Sequence, residues 1–137
     1  MNINSKSNEI YDLLKLYLGK ASKYNPIVLD NVVDNKYPLV VFETNTNTSD
    51  SISQDKYRLD QIRNLSFEIS VFAININEVS SIDICEEISS LICEVMNVYY
   101  GMQGGIDARL KNINTQKATK YVLHFNCKWN VRQNIIY

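Results

Sequence analysis

The apolar positions of the chain change period several times, and each change predicts a new element. From Ser7 to Ala21, Ile10, Leu13, Leu14, Tyr17, Leu18 and Ala21 recur at the three and four spacing of one helical face. This predicts an amphipathic first helix, with Gly19 in its last turn and Asn25-Pro26 ending any continuation. Two short runs follow, "PIVLDNVV" and "YPLVVFE", each opened by a proline where a missing backbone donor is tolerated, and both read as strands. A polar tract from Thr44 to Asp55, within a loop drawn at about 44–63, separates the second from "NLSFEISVFAIN". In that strand Leu65, Phe67, Ile69, Val71 and Ala73 share one face and Ser66, Glu68 and Ser70 take the other.

At "SSIDICEEISSLICEVMNVYYG" the period returns to about 3.6. Ile84, Cys85, Ile88, Leu91, Ile92, Val95 and Tyr99 form its apolar stripe, Ser80 with Asp83 resembles a capping box, and Gly101 is placed to cap the C-terminus. Two strands close the chain. In "IDARLKN", Ile106, Ala108 and Leu110 oppose Asp107, Arg109 and Lys111; in "KYVLHFNCKWNV", Tyr121 to Val131 alternate apolar with polar. The predicted fold is α+β in the order α-β-β-β-α-β-β: a mainly antiparallel sheet of four or five strands against two helices, in one domain spanning 1–137.

Composition sharpens this little. A chain of 137 residues with 45% hydrophobic and 21% charged residues is an ordinary globular domain. A net charge of -1 gives no bulk attraction to nucleic acid or an anionic membrane. The polar opening "MNINSKSNEI" does not resemble a secretory signal, and no apolar run has the length of a membrane span, so the protein is expected to be cytosolic when made.

The search for chemistry yields no catalytic, cofactor-binding or metal-binding set. Cys85, Cys93 and Cys127 make neither a CxxC pair nor a secreted disulfide frame and read as reduced core thiols. His124 lies on the polar face of the last strand, without the matched nucleophile and orienting group of a triad. The glycines of "GMQGGI" follow a helix and precede a strand, the reverse of a phosphate loop, and read as cap and turn. Glu86 and Glu87 read as solvated helix surface, and Lys56, Arg58 and Arg63 as a sparse basic cluster among Asp55 and Asp60. Among nine tyrosines, Tyr57, Tyr99, Tyr100, Tyr121 and Tyr137 supply large contact surfaces of the kind used at protein interfaces.

The succession "YPLVVFETNTNTSD", "RNLSFEISVFAIN", "DICEEISSLICEVM", "YGM" and a closing strand ending "NVRQNIIY" resembles the tail terminator, or tail-to-head joining, proteins of long-tailed bacteriophages and prophages. Pro38, Glu43 and Glu68 occupy matching positions of the family pattern, and the likeness extends over nearly the whole chain. The resemblance implies a structural virion protein without a cofactor or enzymatic activity. It forms a ring, usually a hexamer, on the head-proximal end of the tail tube, ends tube growth and presents a surface to head-completion proteins. Its partners are then copies of itself, the tail tube protein and a head-completion or stopper protein, with DNA passing through the ring without specific binding and no membrane involved. The site is the tail neck of the virion, reached from the host cytoplasm. A closed ring uses heterologous contacts, so each subunit offers two different surfaces. Asp50, Asp55, Lys56, Tyr57, Arg58 and Arg63 in the polar segment, with Arg109 and Arg132, are the candidate ring or tube contacts. The rival readings are another head-tail connector part or minor tail protein, a small enzyme pairing His124 with a carboxylate such as Glu68, and a nucleic-acid-binding module.

Overall fold

The computed structural model describes residues 5–33, 36–49, 62–131 and 134–136, with backbone alone for residues 5 and 44–49. In chain order the elements are α1 (Ser5–Ala21), β1 (Ile27–Leu29), β2 (Leu39–Ser49), β3 (Ile62–Ala73), α2 (Ser81–Cys93), a π-helical turn (Glu94–Tyr99), β4 (Gln103–Leu110), β5 (Thr119–Asn130) and β6 (Ile135–Ile136). The α+β class and element order are those the periodicity predicts. Among the described residues six strands form one sheet in the order β1-β2-β3-β5-β4, with β6 also paired to β5. Only β1 and β2 run parallel; the other pairings are antiparallel.

Both helices pack on one face of the sheet. Ile10, Leu14 and Leu18 of α1 and Ile84, Ile88 and Ile92 of α2 repeat at four-residue spacing and are completely buried. They meet Leu65, Phe67, Ile69, Val71, Leu123 and Phe125, the inward set of the two central strands. Each such side chain contributes about 1.5–3 kcal/mol by leaving water, which is why a sheet with one apolar face requires this cover. Ser80 caps α2 as its spacing predicts, its Oγ accepting from the Asp83 N–H at 3.2 Å. Strands β1 and β2 begin directly after Pro26 and Pro38.

The structure differs from the sequence expectation in four places. First, Thr44 to Ser49 are not loop: they continue β2, laddered to β3 from Thr44↔Phe67 to Ser49↔Arg63 with a bulge between Thr44 and Thr46. β-branched Thr44, Thr46 and Thr48 alternate along the segment, and backbone pairing to a long neighbour compensates for the asparagines. Of the expected polar loop, residues 62 and 63 also belong to a strand, β3, and residues 50–61 lie outside the described residues.

Second, the apolar stripe of α2 does not reach Tyr99, which is 71% exposed. The chain widens into a π turn at Glu94, with the Tyr100 N–H donating to the Val95 carbonyl at 3.1 Å. That extra residue rotates the face, so Met96 and Tyr100 join the expected Val95 against the core in place of Tyr99. Third, Gly104 and Gly105 lie inside β4 rather than in a turn, while Gly101 does hold the positive φ of +69° expected after a helix. Fourth, a bulge between Ile106 and Ala108 breaks the expected alternation of β4: Ile106 pairs with inward Leu123, but Ala108 pairs with outward Val122.

Candidate functional site

The β4 bulge decides what Arg109 does. It brings Arg109 opposite Tyr121, on the helix-covered side of the sheet edge. Arg109 Nε donates to Glu86 Oε1 at 3.0 Å, and the Tyr121 hydroxyl donates to the same oxygen at 2.8 Å. The guanidinium carbon lies 5.2 Å from the centre of the Tyr121 ring. Burial first, and then the Glu86 carboxylate, push the Tyr121 hydroxyl up to about 12. Arg109 is therefore a tie between β4 and α2 rather than an unengaged surface cation. Glu86 and Glu87 are likewise more than solvated surface: Glu87 accepts from Ser22 Oγ at 3.0 Å and so fastens the end of α1. Their opposite partners follow from the rule that adjacent helix residues do not share a face.

Of the other candidate contacts, Arg63 lies at the far end of β3, opposite Ser49 and Trp129, half-buried. Asp50, Asp55, Lys56, Tyr57, Arg58 and Arg132 lie outside the described residues. Among the tyrosines, Tyr121 is buried and Tyr100 packs on the core, while Tyr99 is exposed; Tyr57 and Tyr137 lie outside the described residues.

The outer face of the sheet carries a polar row. Register aligns Glu43, Glu68, His124 and Gly105 across β2, β3, β5 and β4. His124 Nε2 lies 3.2 Å from Glu68 Oε1 and 3.8 Å from Asp107 Oδ2. This pairing of His124 with Glu68 is the arrangement the enzyme reading names. The three cysteines are free, and burial holds each thiol above its ordinary value, Cys85 to about 12 and Cys127 to about 11, so none is a ready nucleophile at neutral pH. Among the described residues no group of three or more His, Cys, Asp or Glu side chains is arranged to hold a metal ion. No helix among them is long and apolar enough to cross a membrane.

The remaining features are edges and clefts. Strand β1 covers only Leu39 to Val41 of β2, so from Phe42 to Ser49 the outer edge of β2 has no strand partner among the described residues. The outer edge of β4, at the other side of the sheet, has none either. Beside the β2 edge a cleft of about 280 Å³ is lined by Ser7, Asn8, Tyr11, Asp30, Phe42 and Glu43. A second groove of about 280 Å³, lined by Leu13, Tyr17, Glu94, Val95, Val98 and Tyr99, runs between α1 and the π turn. Neither open edge nor cleft was signalled by a motif; the signal available was the shortness of the "IVL" run against the long Thr-Asn alternation.

Comparison of the chain with protein-family models gives no match, and comparison with curated protein sequences gives none.

Proposed function

We propose that the chain is a structural subunit of a phage tail neck. Copies close into a ring, six in number by the resemblance, on the head-proximal end of the tail tube; the ring ends tube growth and offers its far side to a head-completion protein. The observation that carries the reading is a pair of unlike edges without a strand partner among the described residues, the Phe42–Ser49 stretch of β2 and the whole of β4, at opposite ends of one sheet. Two different surfaces on one subunit are what heterologous, ring-closing contacts need, whereas a two-fold dimer needs one self-complementary patch. DNA passes through such a ring without being gripped, which suits a net charge of -1. The test is to mix the purified chain with tail tubes and image the ends: bound rings support the reading, and bare ends with a monomeric chain refute it.

A second reading rests on the 3.2 Å contact between His124 and Glu68, which suits a general base oriented by a carboxylate. It predicts that His124→Ala abolishes a hydrolytic activity and leaves self-association untouched. A chain that turns over no ester, phosphoester or peptide substrate removes it.

A further inference from the structure

We propose that the acidic cleft at the β1–β2 edge seats the lysine-bearing β4–β5 turn of a neighbouring copy of the chain. The inference rests on the ring reading and names the contact that would close the ring.

Charge is segregated along the sequence. Residues 1–107 hold all 15 carboxylate side chains against eight of the 14 cations; residues 108–137 hold the other six cations and no carboxylate side chain. Asp30 is exposed at the cleft, Glu43 meets it from the outer-face side of the β2 edge, neither forms an ion pair among the described residues, and no described cation lines the wall. Phe42 and Tyr11 supply apolar walls. Ser7, also in the wall and only 6% exposed, has an Oγ with no hydrogen-bond partner among the described residues. An acidic rim over an apolar wall fits a lysine, whose hydrocarbon stem packs while its ammonium reaches carboxylates.

The turn that would enter is built to present such lysines. Arg109 is engaged by Glu86, and Lys120 lies 5.4 Å from the centre of the Phe72 ring. Lys111 and Lys117 are exposed and make no ion pair among the described residues. Asn114 braces the turn between them: its Oδ1 accepts from the Gln116 and Ala118 N–H groups at 3.0 and 3.2 Å, and its Nδ2 donates to the Tyr37 hydroxyl at 3.0 Å. A turn already ordered loses little entropy on docking. Because cleft and turn are different surfaces, the contact is heterologous and propagates around a ring. Opposite charges at such a contact act chiefly on register and partner choice.

The experiment is charge reversal read by sedimentation at rising concentration, with the chain free and with tube ends added. Asp30→Lys with Glu43→Lys, or Lys111→Glu with Lys117→Glu, should each weaken assembly by about tenfold or more, since two attractions become repulsions. A chain carrying all four changes should recover most of that loss, and circular dichroism should show every variant folded. Either one-sided variant assembling like the wild type overturns the inference while leaving the ring standing, as does a four-fold variant that recovers nothing. One-sided variants that form rings normally but fail to cap tubes place the cleft's partner on the tube protein, which also overturns it. A wild-type chain that neither self-associates nor caps tubes removes the ring reading itself.

Discussion

Replacing Gly104 by Ala should damage the fold more than any other glycine substitution. Gly104 lies in β4 with φ of +133°, a region that L side chains rarely adopt. A Cβ there would overlap the carbonyl oxygen of His124 and lie 2.8 Å from Phe125 Cα, both backbone atoms of the central strand β5. Neither can yield without parting the ladder at Gly104↔Phe125 and Gly105↔His124. The strained backbone costs about 1–3 kcal/mol, and the two disturbed rungs about 1 kcal/mol each. A total near 4 kcal/mol is well above the usual effect of one substitution, about 1 kcal/mol. In urea, at a slope near 2 kcal/mol per M, the midpoint should fall by about 2 M. Gly105→Ala and Gly19→Ala are the controls, because nothing lies within 4 Å of an added Cβ at either position. Gly19→Ala in α1 should stabilise by about 0.4–1 kcal/mol. A Gly104→Ala midpoint within about 0.5 M of wild type would refute the close approach of β4 to β5 on which the edge assignment depends.

Three further outcomes follow from the packing. Tyr121, Tyr100 and Cys85 are each pushed up to about 12, so the fold favours their neutral forms; that stability is fully present below about pH 9 and is lost as pH rises from there towards 12, measured as an alkaline fall in melting temperature. Glu86→Ala should bring the Tyr121 ionisation down from about 12, seen by absorbance titration, and cost about 1 kcal/mol through the lost hydroxyl partner. His124→Ala, at a partly exposed outer-face position, should change stability by less than about 1 kcal/mol and leave tube capping intact.

Much of this fold was legible because its helices and central strands have strong, unbroken periods. Ile84, Ile88 and Ile92, or Leu65 to Ala73, point to one face in sequence and do so in space. What was not legible depends on insertions of a single residue. The π turn moved Tyr99 out and Tyr100 in; the β4 bulge turned Arg109 from an outward cation into a partner of Glu86. Neither device has a compositional mark, since each is set by what the neighbouring element requires. The polar tract misled for a different reason: asparagines suggested a loop, whereas the alternating threonines of 44–48 carried the strand. The cleft is a product of tertiary structure alone, drawing Ser7 and Tyr11 from α1, Asp30 from the end of β1 and Glu43 from β2. The pairing of His124 with Glu68 was the one long-range contact the sequence could nominate, because strands with one polar face must stack their polar residues somewhere.

The most direct test of the account is to image tail tubes assembled with and without the purified chain and to determine the mass of the species bound. A closed ring of identical copies is expected at one end of each tube, with no further growth from that end. Tubes that continue to lengthen, with the chain free and monomeric beside them, would contradict it.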